Sequence, residues 1–217
     1  AWKGHAADMP IEHATDRCDE SRWRGLYSKV GRIVPRCVSW PSLRNRPIDA
    51  HLISSPKAGR TWLRLMIGYV LKKRYNLWQR NIMHVERMSR LHQAIPRLSI
   101  HHDDNPHLKR PEELELDKRA YADQRVILLI RDPRDLMVSL YHHRVNRSRA
   151  FNGTIEDCLK RRVGGVESII AFYNNWWKQR RQVRDLRLVR YEDLHRDAPG
   201  QLKRIIKIPG TDADQRA

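Results

Sequence analysis

Ala50-His51-Leu52-Ile53-Ser54-Ser55-Pro56-Lys57-Ala58-Gly59-Arg60-Thr61-Trp62 decides the fold. A short apolar run, Ala50 to Ser54, breaks at Ser-Pro and passes through Lys57 and Gly59 into a stretch with helical period. Trp62, Leu65, Met66, Tyr69 and Val70 recur there at i, i+3, i+4, i+7 and i+8, which predicts one apolar helix face. Strand, short turn, helix is the opening of a βαβ unit. The rhythm repeats outward. Arg97 to Ile100, Val126 to Ile130 and Leu186 to Val189 are three further apolar runs, and Val126 to Ile130 is unbroken, as a strand covered on both faces requires. Leu136, Leu140 and Tyr141 follow the third run at helical spacing. Ile169, Phe172, Tyr173, Trp176 and Trp177 precede the fourth. Alternating strands and helices predict an α/β fold with one parallel sheet flanked by helices.

The 217 residues suit one compact domain with a sizeable core, and 40% hydrophobic against 31% charged residues excludes wholesale disorder. Residues 1–48, with Trp2, Trp23 and Trp40 among Arg, Pro and Gly, lack a sustained period and read as a basic arm or peripheral layer. The domain proper is expected over 49–208 and a tail over 209–217. No apolar run approaches the roughly 20 residues that span a bilayer. The chain begins with Ala1, which leaves a leader or anchor open. Cys18, Cys37 and Cys158 are too few and too scattered for a disulfide framework or a zinc knuckle, so a reducing, cytoplasmic setting is expected.

Lys+Arg 43 against Asp+Glu 25 gives a net charge of +18. Such a surface attracts nucleic acid, acidic lipid, or phosphorylated and sulfated small molecules. No nucleic-acid motif is present and aromatics are not interleaved with the basic runs, so nucleic acid is not the expected partner.

In a parallel sheet, ligands sit beyond the carboxyl ends of the strands. Ser55 to Trp62 places Lys57, Arg60 and the Thr61 hydroxyl beside a helix N-terminus, with Gly59 allowing close backbone approach. Free N–H groups and the dipole there bind an anion. It is not a Walker A loop, because Gly-x-x-x-x-Gly-Lys-Ser/Thr occurs nowhere in the chain. After the third run, Asp132 suits an N-cap and Pro133 the first helical position. Arg131 then points from the strand end into the same crevice, with Ser139 about two helical turns on, a receptor for a second phosphate. The plainer readings are a solvated turn and an Arg131–Asp135 pair.

Together these motifs resemble the sulfotransferase family that uses 3′-phosphoadenosine 5′-phosphosulfate, over about residues 49–208. Pro56-Lys57-Ala58-Gly59-Arg60-Thr61-Trp62 is similar to its 5′-phosphosulfate loop, Arg131 through Ser139 to its 3′-phosphate motif, and Val189-Arg190-Tyr191-Glu192-Asp193-Leu194 to its Tyr-Glu-Asp-Leu segment. The resemblance implies a P-loop-like sulfotransferase fold and roles by position. Lys57 would neutralise the departing phosphate; Ala58, Gly59, Arg60 and Thr61 would hold it; Trp62 would stack on adenine; Arg131 and Ser139 would hold the 3′-phosphate; Tyr191 would bond near the adenine. His102, after the second run, would take the acceptor's proton, with His101 as the other candidate. No metal is implied, and a zinc site of His101, His102, Asp103 and His107 is not expected. His142 and His143 read as surface or acceptor-rim residues.

The pattern departs at three points. Arg60 stands for the first Thr of the family loop, and Ile100 for the Lys two residues before the base. The family's Gly-rich nucleotide-closing loop has no counterpart up to Ala217. The chain is therefore expected to be a fragment, to use Arg144 to Arg149 instead, or to bind nucleotide weakly. The last defines the alternative function, a nucleotide- or polyanion-binding remnant. The acceptor, a small molecule, lipid or carbohydrate, is not readable from residues 72–124 and 145–175. Lys160-Arg161-Arg162 and Arg144, Arg147 and Arg149 suit either an acidic glycan or lipid head group, or a solvated basic face.

Overall fold

Four parallel strands carry the site: β1 (Ala50–Ser54), β2 (Leu98–His101), β3 (Arg125–Ile130) and β4 (Asp185–Arg190), in spatial order β2-β1-β3-β4. The computed structural model describes residues 46–78 and 81–206. Of the expected arm, residues 1–45 lie outside the described residues, as does the tail over 209–217.

The expected α/β class is what forms, and alternation along the strands explains why. Leu52, Ile127 and Leu129 enter one core cluster; Ile53, Val126 and Leu128 enter the other, on the opposite face. Both central strands are thus buried on both sides, as parallel strands under helical cover must be. The first cluster is capped by α1 (Arg60–Arg74) and α3 (Pro133–His142), the second by Phe172 and Trp176 of α5 (Val166–Lys178). Leu52, Ile53, Ile127 and Leu129 are essentially inaccessible, so truncating any of them to Ala costs about 2–5 kcal/mol. The remaining helices are α2 (Val85–Met88), α4 (Ile155–Leu159), α6 (Tyr191–Arg196), which starts directly at the end of β4, and α7 (Ala198–Ile206).

Two helix faces differ from the periodicity. In α1 the buried residues are Leu63, Ile67, Gly68 and Leu71, while Leu65 and Tyr69 are exposed. Apolar side chains nearly encircle this helix, so its period does not select a face. Contact does: a Cβ on Gly68 would lie 1.9 Å from the Ile82 carbonyl oxygen, so the helix turns that side to the neighbouring chain. In α5, Trp176 is buried but Trp177 is exposed and carries Arg180 over its ring at 4.5 Å.

β3 passes into α3 as the sequence requires. The Asp132 carboxylate accepts a 2.9 Å hydrogen bond from the Arg134 N–H, with Pro133 at the first helical position. The order β2-β1-β3 means that the chain leaves β1 to one side and returns on the other. The crevice between the carboxyl ends of β1 and β3 is a topological switch point, the place where open α/β sheets bind ligands.

Candidate functional site

The turn from β1 into α1 fills one side of that crevice. Lys57 has φ 66° and Gly59, the N-cap of α1, has φ 94°. A Cβ on Gly59 would lie 2.3 Å from Cδ2 of Tyr191, so glycine is demanded both by backbone and by space. The first turn of α1 contains no acidic residue, which leaves its positive end uncompensated. Burial and the neighbouring Arg64 charge push the Arg60 guanidinium below its ordinary pKa, against the weaker opposing charge of Glu86. Thr61 is exposed at this end.

The end of β3 forms the facing wall. Arg131 does not pair with Asp135. Its Nη1 donates to the Lys57 carbonyl at 3.2 Å, its guanidinium lies 4.5 Å over the Tyr191 ring, and its buried Nε has no partner among the described residues. Tyr191, at the start of α6, is the common neighbour of Gly59, Arg131 and Trp62, whose ring centroid is 5.6 Å away. Trp62 also packs on His195 at 4.5 Å. The phosphate-type loop, Arg131 and the Tyr-Glu-Asp-Leu segment, far apart in sequence, therefore meet. Ser139 is half-buried on α3, and its hydroxyl has no partner among the described residues.

Several residues that support this wall carry no obvious sequence signal. The Tyr173 hydroxyl lies 3.1 Å from Ser55 Oγ and accepts from the Arg131 N–H at 3.2 Å, tying the two loops together. The Glu192 carboxylate accepts from the Asp132 N–H at 2.8 Å. Burial raises the Tyr173 phenol, so it remains protonated. Its helical spacing reads as core; Glu192 could have been found inside the quoted motif.

The two candidate histidines at the end of β2 are chemically distinct. His102 Nδ1 lies 2.8 Å from the Ser54 carbonyl. A carbonyl only accepts, so Nδ1 carries the proton and the neutral ring keeps its Nε2 lone pair. His101 Nδ1 accepts from the Asp103 N–H at 3.2 Å, and its Nε2 lies 3.1 Å from His51 Nδ1, so both nitrogens are occupied. Burial lowers the pKa of both rings; Arg60 and His101 lower His102 further against the opposing effect of the Ser54 bond. Below them Asp103 accepts from Lys118 Nζ at 2.9 Å and from the Tyr121 hydroxyl at 2.7 Å. Asp103, Asp104 and Asn105 all have positive φ, at 41°, 60° and 49°. Among the described residues, no group of three His, Cys, Asp or Glu is arranged to hold a metal ion, and no helix is long and apolar enough to cross a membrane.

The family model for the sulfotransferase domain matches residues 47–216. The chain belongs to the sulfotransferase family. Mouse sulfotransferase 4A1 is 26% identical over 179 residues, covering 78% of this chain and 62% of the relative. Human sulfotransferase 2B1 is 25% identical over 197 residues, 87% of this chain and 54% of the relative. The solved structure of mouse sulfotransferase SULT7A1 complexed with PAP aligns at 24% identity and TM-score 0.49, over 78% of this chain and 60% of that one. This sulfotransferase chain thus spans about three fifths of the length of the curated relatives it matches.

Proposed function

We propose that this chain transfers a sulfuryl group from 3′-phosphoadenosine 5′-phosphosulfate to a hydroxyl or amine of an acceptor. The observation that carries the reading is the meeting of Lys57, Gly59, Arg131 and Tyr191 around the uncompensated N-terminus of α1 at the sheet's switch point. The chemistry of these donors fits two phosphate groups on one nucleotide. The Lys57 side chain and the free N–H groups of Arg60 to Trp62 suit the 5′ group, with Ala58 and Thr61 beside them. Arg131, with its unpartnered Nε, and the Ser139 hydroxyl suit the 3′-phosphate. Trp62 and Tyr191 offer aromatic surface to the base.

In the step proposed, the acceptor oxygen attacks sulfur in line as the bond from sulfur to the bridging oxygen breaks. The electron pair of that bond leaves on the 5′-phosphate of 3′,5′-bisphosphoadenosine, where Lys57 and the loop amides meet it. The acceptor's proton passes to His102 Nε2, the free lone pair that the Ser54 hydrogen bond leaves available. Positioning and preorganised charge would supply most of the acceleration.

The experiment is a calorimetric titration with 3′,5′-bisphosphoadenosine against 5′-AMP. Selective binding of the bisphosphate, weakened at least roughly tenfold in Arg131→Ala, supports the donor site. Equal or absent binding of the two refutes it. Selective binding without turnover by any acceptor tested, and insensitive to Lys57→Ala, would leave a nucleotide-binding remnant of the fold.

A further inference from the structure

Beside His102 stand the turn containing His107 and the π-helical turn His143–Arg147 that continues α3, whose His143 feels the charges of Lys57, Arg147 and Arg144. The His107 ring lies 5.9 Å from that of His102. Arg144 is fixed by neutral acceptors only: the carbonyls of His107 and Gly164 at 3.0 and 3.1 Å, and Cys158 Sγ at 3.4 Å. Arg147 is exposed and without a partner among the described residues. The nearby carboxylates are already committed. Asp103 holds Lys118 and Tyr121; Asp104 holds Lys109 and the Glu115 N–H. α5 meets the His107 turn through Ser168, whose hydroxyl donates to the Lys109 carbonyl, a neutral contact.

Some basic groups of the surface are paired, Lys160 with Glu156, Arg162 with Glu112, Arg134 with Asp132 and Arg196 with Asp193, and others, such as Arg87, Arg90 and Lys178, form no ion pair among the described residues. What sets the wall beside His102 apart is that its cation Arg144 is half-buried and held by neutral atoms alone. Burial, then His102, Arg144 and His143, lower His107 to about 4; burial, then Lys57, Arg147 and Arg144, lower His143. No carboxylate acts on either ring. Cations crowded at a cleft without counter-ions are disfavoured until an anion joins them. The nucleotide's phosphates answer Lys57, whose charge also acts on His143, together with Arg60 and Arg131, and leave Arg144 and Arg147 uncompensated.

We propose that the acceptor carries an acidic group, a carboxylate, phosphate or sulfate, which docks against His143 and Arg147 within the field of Arg144 while its hydroxyl faces His102. The proposal rests on the sulfotransferase reading above. It also predicts proton uptake: an anion set among His107, His143 and their cationic neighbours raises the proton affinity of both rings, so acid binding tightens as pH falls.

The test uses the full chain saturated with 3′,5′-bisphosphoadenosine, so that the donor site is filled. It is titrated calorimetrically with 4-hydroxybenzoate and with its methyl ester, in two buffers of different ionisation heat. The acid is expected to bind roughly tenfold more tightly than the ester, with buffer-dependent heat reporting proton uptake. A His143→Gln/Arg147→Gln double variant should bring the two to near parity while still binding nucleotide, which also shows that it is folded. A uronate-bearing disaccharide and vesicles containing phosphatidylinositol then tell a soluble glycan from a lipid head group as the source of the acidic group. Ester binding as tight as acid, binding of neither, or an unchanged preference in the double variant overturns the proposal. Failure of the sulfotransferase reading is separable, because it appears first as absent nucleotide binding.

Discussion

Gly59→Ala is the sharpest test of how packing and chemistry are joined in this chain. At φ 94° the residue sits outside the region that alanine tolerates; holding a non-glycine residue in so sparsely populated a conformation costs about 1–3 kcal/mol. The added Cβ would also lie 2.3 Å from Tyr191 Cδ2 and 2.5 Å from Cε2. Carbon atoms rest at about 3.5–4.0 Å, so ring and loop must part by more than about 1 Å. Neither partner yields freely. Tyr191 lies beneath the Arg131 guanidinium and beside Trp62, and the loop carbonyl of Lys57 is held by Arg131. Relief of the clash therefore disturbs both proposed phosphate contacts at once. A stability loss of about 1–3 kcal/mol corresponds to a Tm decrease of roughly 2–12 °C for a chain of this size. Affinity for 3′,5′-bisphosphoadenosine should fall about 10–100-fold, equivalent to about 1.4–2.7 kcal/mol. Calorimetric titration and thermal unfolding read the two effects. Gly153→Ala is the control, since its Cβ would meet only side chains, the Phe151 ring at 3.0 Å and the Asp157 carboxylate at 3.3 Å, and should move neither quantity much. A Gly59→Ala protein with lowered Tm but wild-type nucleotide affinity would refute the reasoning, because the loop would then be structural and not the anion site.

The two histidines separate by rate. His102→Gln should lower kcat by about 10²–10⁴, whereas His101→Gln, which removes a ring with both nitrogens occupied, should cost less than about tenfold. In the proposed step His102 acts in its neutral form, and burial, Arg60 and His101 lower its pKa. The rate should therefore rise with pH through an inflection below 6.5 and stay flat above it, and His102→Gln should lose that limb. Lys118→Met leaves the Asp103 carboxylate buried without its cation, which should destabilise the chain by about 3–5 kcal/mol in denaturant unfolding; a loss under about 1 kcal/mol would mean that Tyr121 alone satisfies Asp103.

What the sequence makes legible is local. Each strand announces itself within four to six residues, and Asp132-Pro133 marks the start of α3 because capping involves only the next two residues. The pairing of a phosphate-type loop with Arg131 follows from placing both after parallel strands. The contacts that hold the site together are different in kind. Tyr173 reaches Ser55 across 118 positions and Arg131 across 42, and His51 meets His101 across 50. Tyr173, Trp176 and Ile169 share the same spacing, yet only the position of α5 over the ends of β1 and β3 turns one of them from core into a hydrogen-bonding post. The α1 face is lost for a related reason. Where nearly every position is apolar, period carries no information, and the choice falls to Gly68 against Ile82.

The same distinction explains why net charge alone misleads about function. A value of +18 fits polyanion binding anywhere on the surface, and exposed cations there are of both kinds, ion-paired like Arg119, Arg134, Lys160, Arg162 and Arg196 or, like Arg87, Arg90 and Lys178, without an ion pair among the described residues. Three half-buried cations that form no ion pair are a different matter. Arg60 at the head of α1 is pushed down by burial and Arg64 against the opposing charge of Glu86, Arg131 keeps a buried Nε without a partner, and Arg144 is bonded only to neutral atoms. All three border the cleft that holds His102, the first two at the loop of Gly59 and the third bonded to the His107 turn beside His102. A protein that bound polyanions by general attraction would have no reason to concentrate uncompensated charge at the carboxyl ends of two adjacent strands. A transferase has one: the leaving nucleotide needs positive charge on one side of the reacting sulfur, and an acidic acceptor would need it on the other.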